Sequence, residues 1–199
     1  MDFSFDNLKK ISGEPAARML AACNVKLETP LTLPANAQVP QTLQFLAEQQ
    51  AHFDMLHMLA VALPKREAVW WACLAARDVL GDVPDAKLPT PLVAAERWVF
   101  KPTPENRARA RMAMEHAEID DDTVYCAMAA FYAEGNMGDG DMAEIPAPPS
   151  AVSGAVVCMN MISVAAHAEQ MNEHVARIVN RALDIARGGN GQIAEKEDA

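Results

Sequence analysis

The order of apolar and polar positions along the 199-residue chain predicts helices and little else. No segment alternates apolar and polar residues over a strand's length with the Val, Ile, Thr and aromatic residues that strands favour. Apolar residues instead recur three and four apart. Leu43, Leu46, Phe53, Leu56 and Leu59 do so between 41 and 62, which places them on one helical face. Alanine and methionine are abundant, and both lose little freedom in a helix.

Proline and glycine divide the pattern into blocks. Ser12 is read as the cap of a helix over 12–23, with Glu14 and Pro15 in its first turn. Residues 24–40 hold Pro30, Pro34 and Pro40 and read as an extended connector. Helices are expected over 41–62 and 65–80, with Pro64 between them and Gly81 closing the second. A turn over 82–89 leads to helices at 90–100 and 103–117. Each opens on a Thr-Pro pair, Thr90-Pro91 and Thr103-Pro104, in which threonine caps and proline takes a position whose missing N–H costs nothing. A helix over 122–134 ends at Gly135, and 136–149 is an acidic Gly/Pro loop. Residues 150–187 form one long helix, or two broken near His167, closed by Gly188-Gly189-Asn190-Gly191. The expected fold is therefore all-α: one domain over 1–190, with seven to eight helices packed as antiparallel hairpins, followed by a disordered tail over 191–199.

Composition narrows the function classes. At 51% hydrophobic and 22% charged residues, the chain can bury enough surface to offset its conformational entropy. A net charge of −10 argues against nucleic acid or an anionic membrane as partner. The longest uncharged stretch, 145–166, is interrupted by Pro146, Pro148 and Pro149. It is too short and polar for a membrane span and reads as a buried core helix. Cys23, Cys73, Cys126 and Cys158 lie far apart, read as small buried hydrophobes, and suit a cytoplasmic location as reduced thiols.

The charge is segregated along the chain. Residues 97–111 carry five basic side chains and one acid, Glu105. Residues 112–176 carry eleven acids and no Lys or Arg. The triplet Asp120-Asp121-Asp122 sits at an expected helix N-terminus, where negative charge is favourable. A shared acidic face that meets a basic partner accounts for the longer run.

Candidate chemistry is thin. Glu48 and His52 share a helix face, and with His57 and His167 they define an alternative reading as a small helical metal protein or enzyme. No Glu-x-x-His pair, His-Glu-x-x-His motif, phosphate loop or nucleophile elbow is present. The stretch from Asp139 to Glu144 lacks the ligand spacing of a calcium loop. No catalytic, cofactor-binding or metal residue is assigned.

The densest segment holds Trp70 and Trp71 side by side, and Trp98 follows beside Arg97. Adjacent residues diverge by about 100° on a helix, so one ring of the pair enters the core and the other meets a seam or the surface. One of Trp70, Trp71 or Trp98 is expected to anchor a partner, with Arg66 nearby and Asp120, Asp121 and Asp122 supplying charge.

The run LPKREAVWWACLAAR at 63–77, preceded by Asp54 and Leu59-Ala60, resembles an uncharacterised all-helical bacterial family known only as a domain of unknown function. The likeness continues through Ala94-Ala95-Glu96-Arg97-Trp98-Val99, Pro104-Glu105-Asn106-Arg107, 127–131 and Asp184-Ile185-Ala186-Arg187-Gly188, covering about 51–190. The resemblance implies an α-helical fold and an association with type VI secretion gene clusters. It carries over no catalytic residues. The loop 136–144 and the stretch 159–174 depart from its pattern. The expected function is a cytoplasmic, non-catalytic adaptor, an accessory factor of such a secretion system that recognises a protein partner by its surface. A self-assembling structural subunit is a further alternative.

Overall fold

The computed structural model describes residues 3–138 and 140–192. Among them are nine α-helices and no strand: α1 (Ala16–Ala22), α2 (Val39–Glu48), α3 (His52–Ala62), α4 (Lys65–Leu80), α5 (Thr90–Phe100), α6 (Pro104–Glu115), α7 (Val124–Tyr132), α8 (Ala151–Ala166) and α9 (Met171–Arg187). Short 3-10 turns lie at Asp85–Lys87, Gly140–Glu144 and Ala168–Gln170. The all-α, single-domain expectation holds. Asp139 and the tail from 193 onward lie outside the described residues.

The core is built around α4, which packs against α5, α7, α8 and α9. Its buried positions Ala68, Ala72, Ala75 and Ala76 are small, so neighbouring backbones approach closely, while Trp71 and Leu74 fill the space between them. Trp71 is wholly buried, and its Nε1–H donates to the Ile178 carbonyl at 3.0 Å, tying α4 to α9. The long connector before α2 is pinned rather than loose. The buried carboxylate of Asp54 accepts from the backbone N–H groups of Glu28 (3.0 Å) and Thr29 (2.7 Å). The N-terminal segment is clamped onto the far end of α9: Lys10 N–H donates to the Ala186 carbonyl at 2.9 Å, and the Arg187 guanidinium reaches the Ser4 carbonyl.

Several boundaries differ from expectation, each for a local reason. The first helix begins at Ala16, and Ser12 caps nothing; Pro15 precedes it and bridges to Gln38. The helix expected over 41–62 is two helices. Gln50 adopts a left-handed conformation (φ 56°) and turns α3 away from the register of α2, which leaves Phe53 exposed rather than in the shared stripe. Thr103 does cap α6, accepting from Asn106 N–H at 3.3 Å, whereas Thr90 is already helical and makes no cap bond. The final helical region breaks at His167, and the pieces on either side meet at about 90°. No single helix among the described residues is long and apolar enough to cross a membrane. Nor is α8 buried all round: Gly154, Cys158, Met161 and Ala165 face outward. Cys158 is thus exposed and Cys23 half-buried, so only Cys73 and Cys126 match the buried-cysteine expectation.

Candidate functional site

A broad concavity lies where the two oppositely charged stretches of sequence meet. A cleft of about 890 Å³ runs between the C-terminal end of α4, the outer faces of α5 and α6, and the 116–123 loop. Its floor is apolar, from Val79, Pro91, Val93, Ala94, Ala113 and Met159. Met112 stands in it at 60% exposure. Arg97 and Arg109 line one part; Glu118, Asp120, Asp121 and Asp122 line another.

The arginine wall is held in place by Asn106. Its buried amide donates to the carbonyls of Lys101 (2.8 Å) and Arg97 (3.4 Å), and its Oδ1 accepts from Arg109 Nη1 at 3.1 Å. One side chain thus fastens the end of α5 to the start of α6 and steadies the Arg109 guanidinium. Arg97 is exposed, and among the described residues no carboxylate pairs with it. On the acidic wall, Asp121 Oδ1 accepts from both the N–H (2.9 Å) and the hydroxyl (2.6 Å) of Thr123. That bond fixes the turn into α7 and leaves Asp120 and Asp122 exposed to solvent. Elsewhere in the basic segment Lys101 is exposed, and two arginines have partners within the chain. Arg107 is buried over the Phe131 ring and donates to the Phe131 carbonyl at 2.8 Å, and Arg111 pairs with Glu115 at 2.7 Å.

The three tryptophans separate cleanly. Trp71 and Trp98 are core, so neither offers a surface to a partner, and the buried Trp98 Nε1–H has no acceptor among the described residues. Trp70 is half-buried. Its Nε1–H donates to the Asn190 carbonyl at 2.7 Å, and its ring tilts against Phe100, which is 69% exposed. Beside that pair lies a smaller hollow of about 310 Å³ lined by Arg66, Glu67 and Ile185. Arg66 itself is engaged, its Nε–H donating to the Val99 carbonyl at 2.5 Å.

A buried polar group that no sequence motif announces sits at the bend between α8 and α9. His174 Nε2 lies 2.8 Å from Ser163 Oγ, and Asp78 of α4 is 3.9 Å from the same nitrogen. These are the residue types of a hydrolytic triad, but the wiring is wrong for one. Arg177 donates to His174 Nδ1 at 2.8 Å, which leaves the ring proton on Nε2, pointing at the serine. A serine is activated by an Nε2 that accepts its proton, with the carboxylate on Nδ1. Asp78 is instead held by a bidentate pair with Arg181, and Ser163 and His174 are both buried. The His167 ring stacks on His174 with centroids 3.9 Å apart and donates from Nδ1 to the Ser163 carbonyl at 2.8 Å. Burial, the neighbouring His167 and Arg177 push the His174 imidazole down to about 4, with Asp78 opposing. The group fastens the bend to α4.

Of the residues of the metal alternative, Glu48 and His52 border one hollow beside Phe3, and His167 lies elsewhere, at the α8–α9 bend. Glu48 accepts from Gln44 at 2.9 Å, and His52 packs edge-on against Phe3. Among the described residues no three His, Cys, Asp or Glu side chains converge as a metal site would require.

No curated protein and no solved structure matches the chain. The family comparison does find a match, over 42–186, which runs from the start of α2 to the last turn of α9 and takes in the cleft, the bend and all three tryptophans. The chain belongs to DUF6931, a family of unknown function.

Proposed function

We propose that this protein is a non-catalytic interaction protein that holds a segment of a protein partner in the cleft bordered by α5, α6 and the 116–123 loop. The observation that supports this reading is the make-up of the cleft: an apolar floor with an exposed methionine, between walls whose charges are not spent on each other. Protein-recognition sites combine such a desolvated centre with a polar rim. The assembly at the α8–α9 bend, which has the residue types of a catalytic group, is buried and carries its proton on the wrong nitrogen for nucleophile activation. In keeping with the family resemblance, the partner is taken to be a component or effector of a type VI secretion system, and the protein an accessory factor acting in the cytoplasm.

Photo-crosslinking in the native cell tests both levels. A crosslinking amino acid at Met112, in the cleft, is compared with one at Cys158, on the outer face of α8. The reading expects a discrete crosslinked species from position 112 only, containing a secretion component. An unrelated protein captured from 112 would remove the secretion role and keep the cleft. The same pattern from both positions would remove the cleft.

A further inference from the structure

The charges in the cleft are arranged by position along it. Helices α5 and α6 are joined by only three residues, 101–103, and Asn106 fastens that junction. Arg97 and Arg109 lie within two turns of it. The carboxylates of Asp120 and Asp122 follow the opposite end of α6, beyond His116, whose Nδ1 bonds the Met112 carbonyl at 2.8 Å. From Arg109 to the end of α6 is a rise of about 9 Å, at roughly 1.5 Å per residue. The groove is therefore positive at one end, negative at the other, and apolar between, where Met112 and Ala113 stand. Two exposed arginines and two exposed carboxylates at that separation, none held in an ion pair among the described residues, repel any uniformly charged ligand from one end.

From this we infer that the groove takes a short amphipathic helix of a protein partner, acidic in one terminal turn and basic in the other. This inference rests on the cleft being a protein-recognition site and adds the chemistry of its occupant. Three features select a helix. A stretch of 10 to 12 residues spans about 15–18 Å, which covers the distance between the two charged ends with its terminal turns over them. An apolar stripe at i, i+3, i+4 and i+7 suits a continuous apolar floor. Acids in the first turn and bases in the last also complement a helix's own dipole, so this charge order raises the helical population of the free segment and lowers the entropy lost on docking. Such a helix lies with its N-terminal turn at Arg97 and Arg109 and its C-terminal turn at Asp120 and Asp122.

A displayed library of 12-residue helices with a fixed apolar stripe, the other positions randomised over Glu, Lys, Gln and Ala, is selected against three forms of the full chain. These are the wild type, Arg97→Glu/Arg109→Glu, and Ala113→Trp, which fills the groove. Both arginines are exposed, and circular dichroism melting checks that each form is folded. The expected result is enrichment of helices with acids in the first turn and bases in the last. These should bind the wild type about tenfold more tightly than helices of the same composition with interleaved charges, the scale of two or three solvent-screened pairs. That preference should vanish in the double-arginine variant. Enrichment that Ala113→Trp abolishes but that shows no charge order would overturn this inference and leave the cleft standing. Absence of any enrichment that depends on residue 113 would overturn both.

Discussion

Lowering the pH from 7.5 to 4 should destabilise this protein through His174 in particular. The ring is 4% exposed, accepts from Arg177, stacks on His167 and faces Arg181 and Asp78 across the α4 contact. Burial first, then the positive neighbours, move its ionisation from near 6.5 down to about 4. In the unfolded chain the imidazole takes up a proton as the pH falls through about 6.5. In the folded chain it does not do so until about 4. The stability associated with this group is therefore fully present above 6.5, declines between 6.5 and 4, and is constant below. At about 1.4 kcal/mol per pH unit of separation, the loss is about 3 kcal/mol, a large share of the 5–15 kcal/mol that holds a domain together. The assay is urea unfolding at half-unit pH steps for the wild type and His174→Gln, which keeps a hydrogen-bonding side chain and removes the titration. The wild type should lose about 3 kcal/mol more than the variant across the window, with similar m-values. Parallel stability curves, or an imidazole seen by NMR to titrate near 6.5, would show that His174 does not couple folding to pH in this way.

Four further substitutions test the packing. Trp71→Ala removes the largest wholly buried side chain and its bond to Ile178, and should cost about 3–5 kcal/mol and lower Tm by roughly 10 °C or more; Trp70→Ala should cost less than half as much, and equal losses would contradict the assignment of Trp71 to the core. Asp78→Ala leaves Arg181 without its carboxylate, and denaturant unfolding should show a loss of about 3–5 kcal/mol. Asp54→Ala frees the Glu28 and Thr29 amides, and limited proteolysis should then cut within 24–38 well before the helices are attacked, with a stability loss of about 1–3 kcal/mol.

Much of the fold was legible because its signals are local. The Pro64 and Gly81 limits of α4, the Thr103 cap and the break at His167 each depend on residues within a turn of the event. The break at Gln50 was not legible, since a non-glycine residue with positive φ leaves no compositional trace and apolar periodicity continues on both sides. The two halves of the cleft were visible as a basic stretch followed by an acidic one. That they border one groove depends on how α5, α6 and the 116–123 loop fold back on each other, which charge order alone does not state. Adjacent tryptophans had to diverge, but only the packing of α9 against α4 decides that Trp71 is inside and Trp70 outside. The Ser163, His174 and Asp78 group joins three helices across almost a hundred residues of sequence, and no spacing rule reaches that far.

The central position of α4 sets the timing of folding on the ribosome. Trp71 and the alanine-rich faces beside it are synthesised before α8 and α9, the helices that cover much of them. About a hundred residues separate the end of α4 from the end of α9, which at roughly 5–20 residues per second is a delay of several seconds to some twenty seconds. During that interval the nascent chain presents the surface that later becomes its core, and the N-terminal clamp onto Ala186 and Arg187 cannot close. A chain released before α9 is made lacks the Ile178 carbonyl that accepts from Trp71 and the surface that covers part of α4, and it exposes that part of the core to solvent or to other chains.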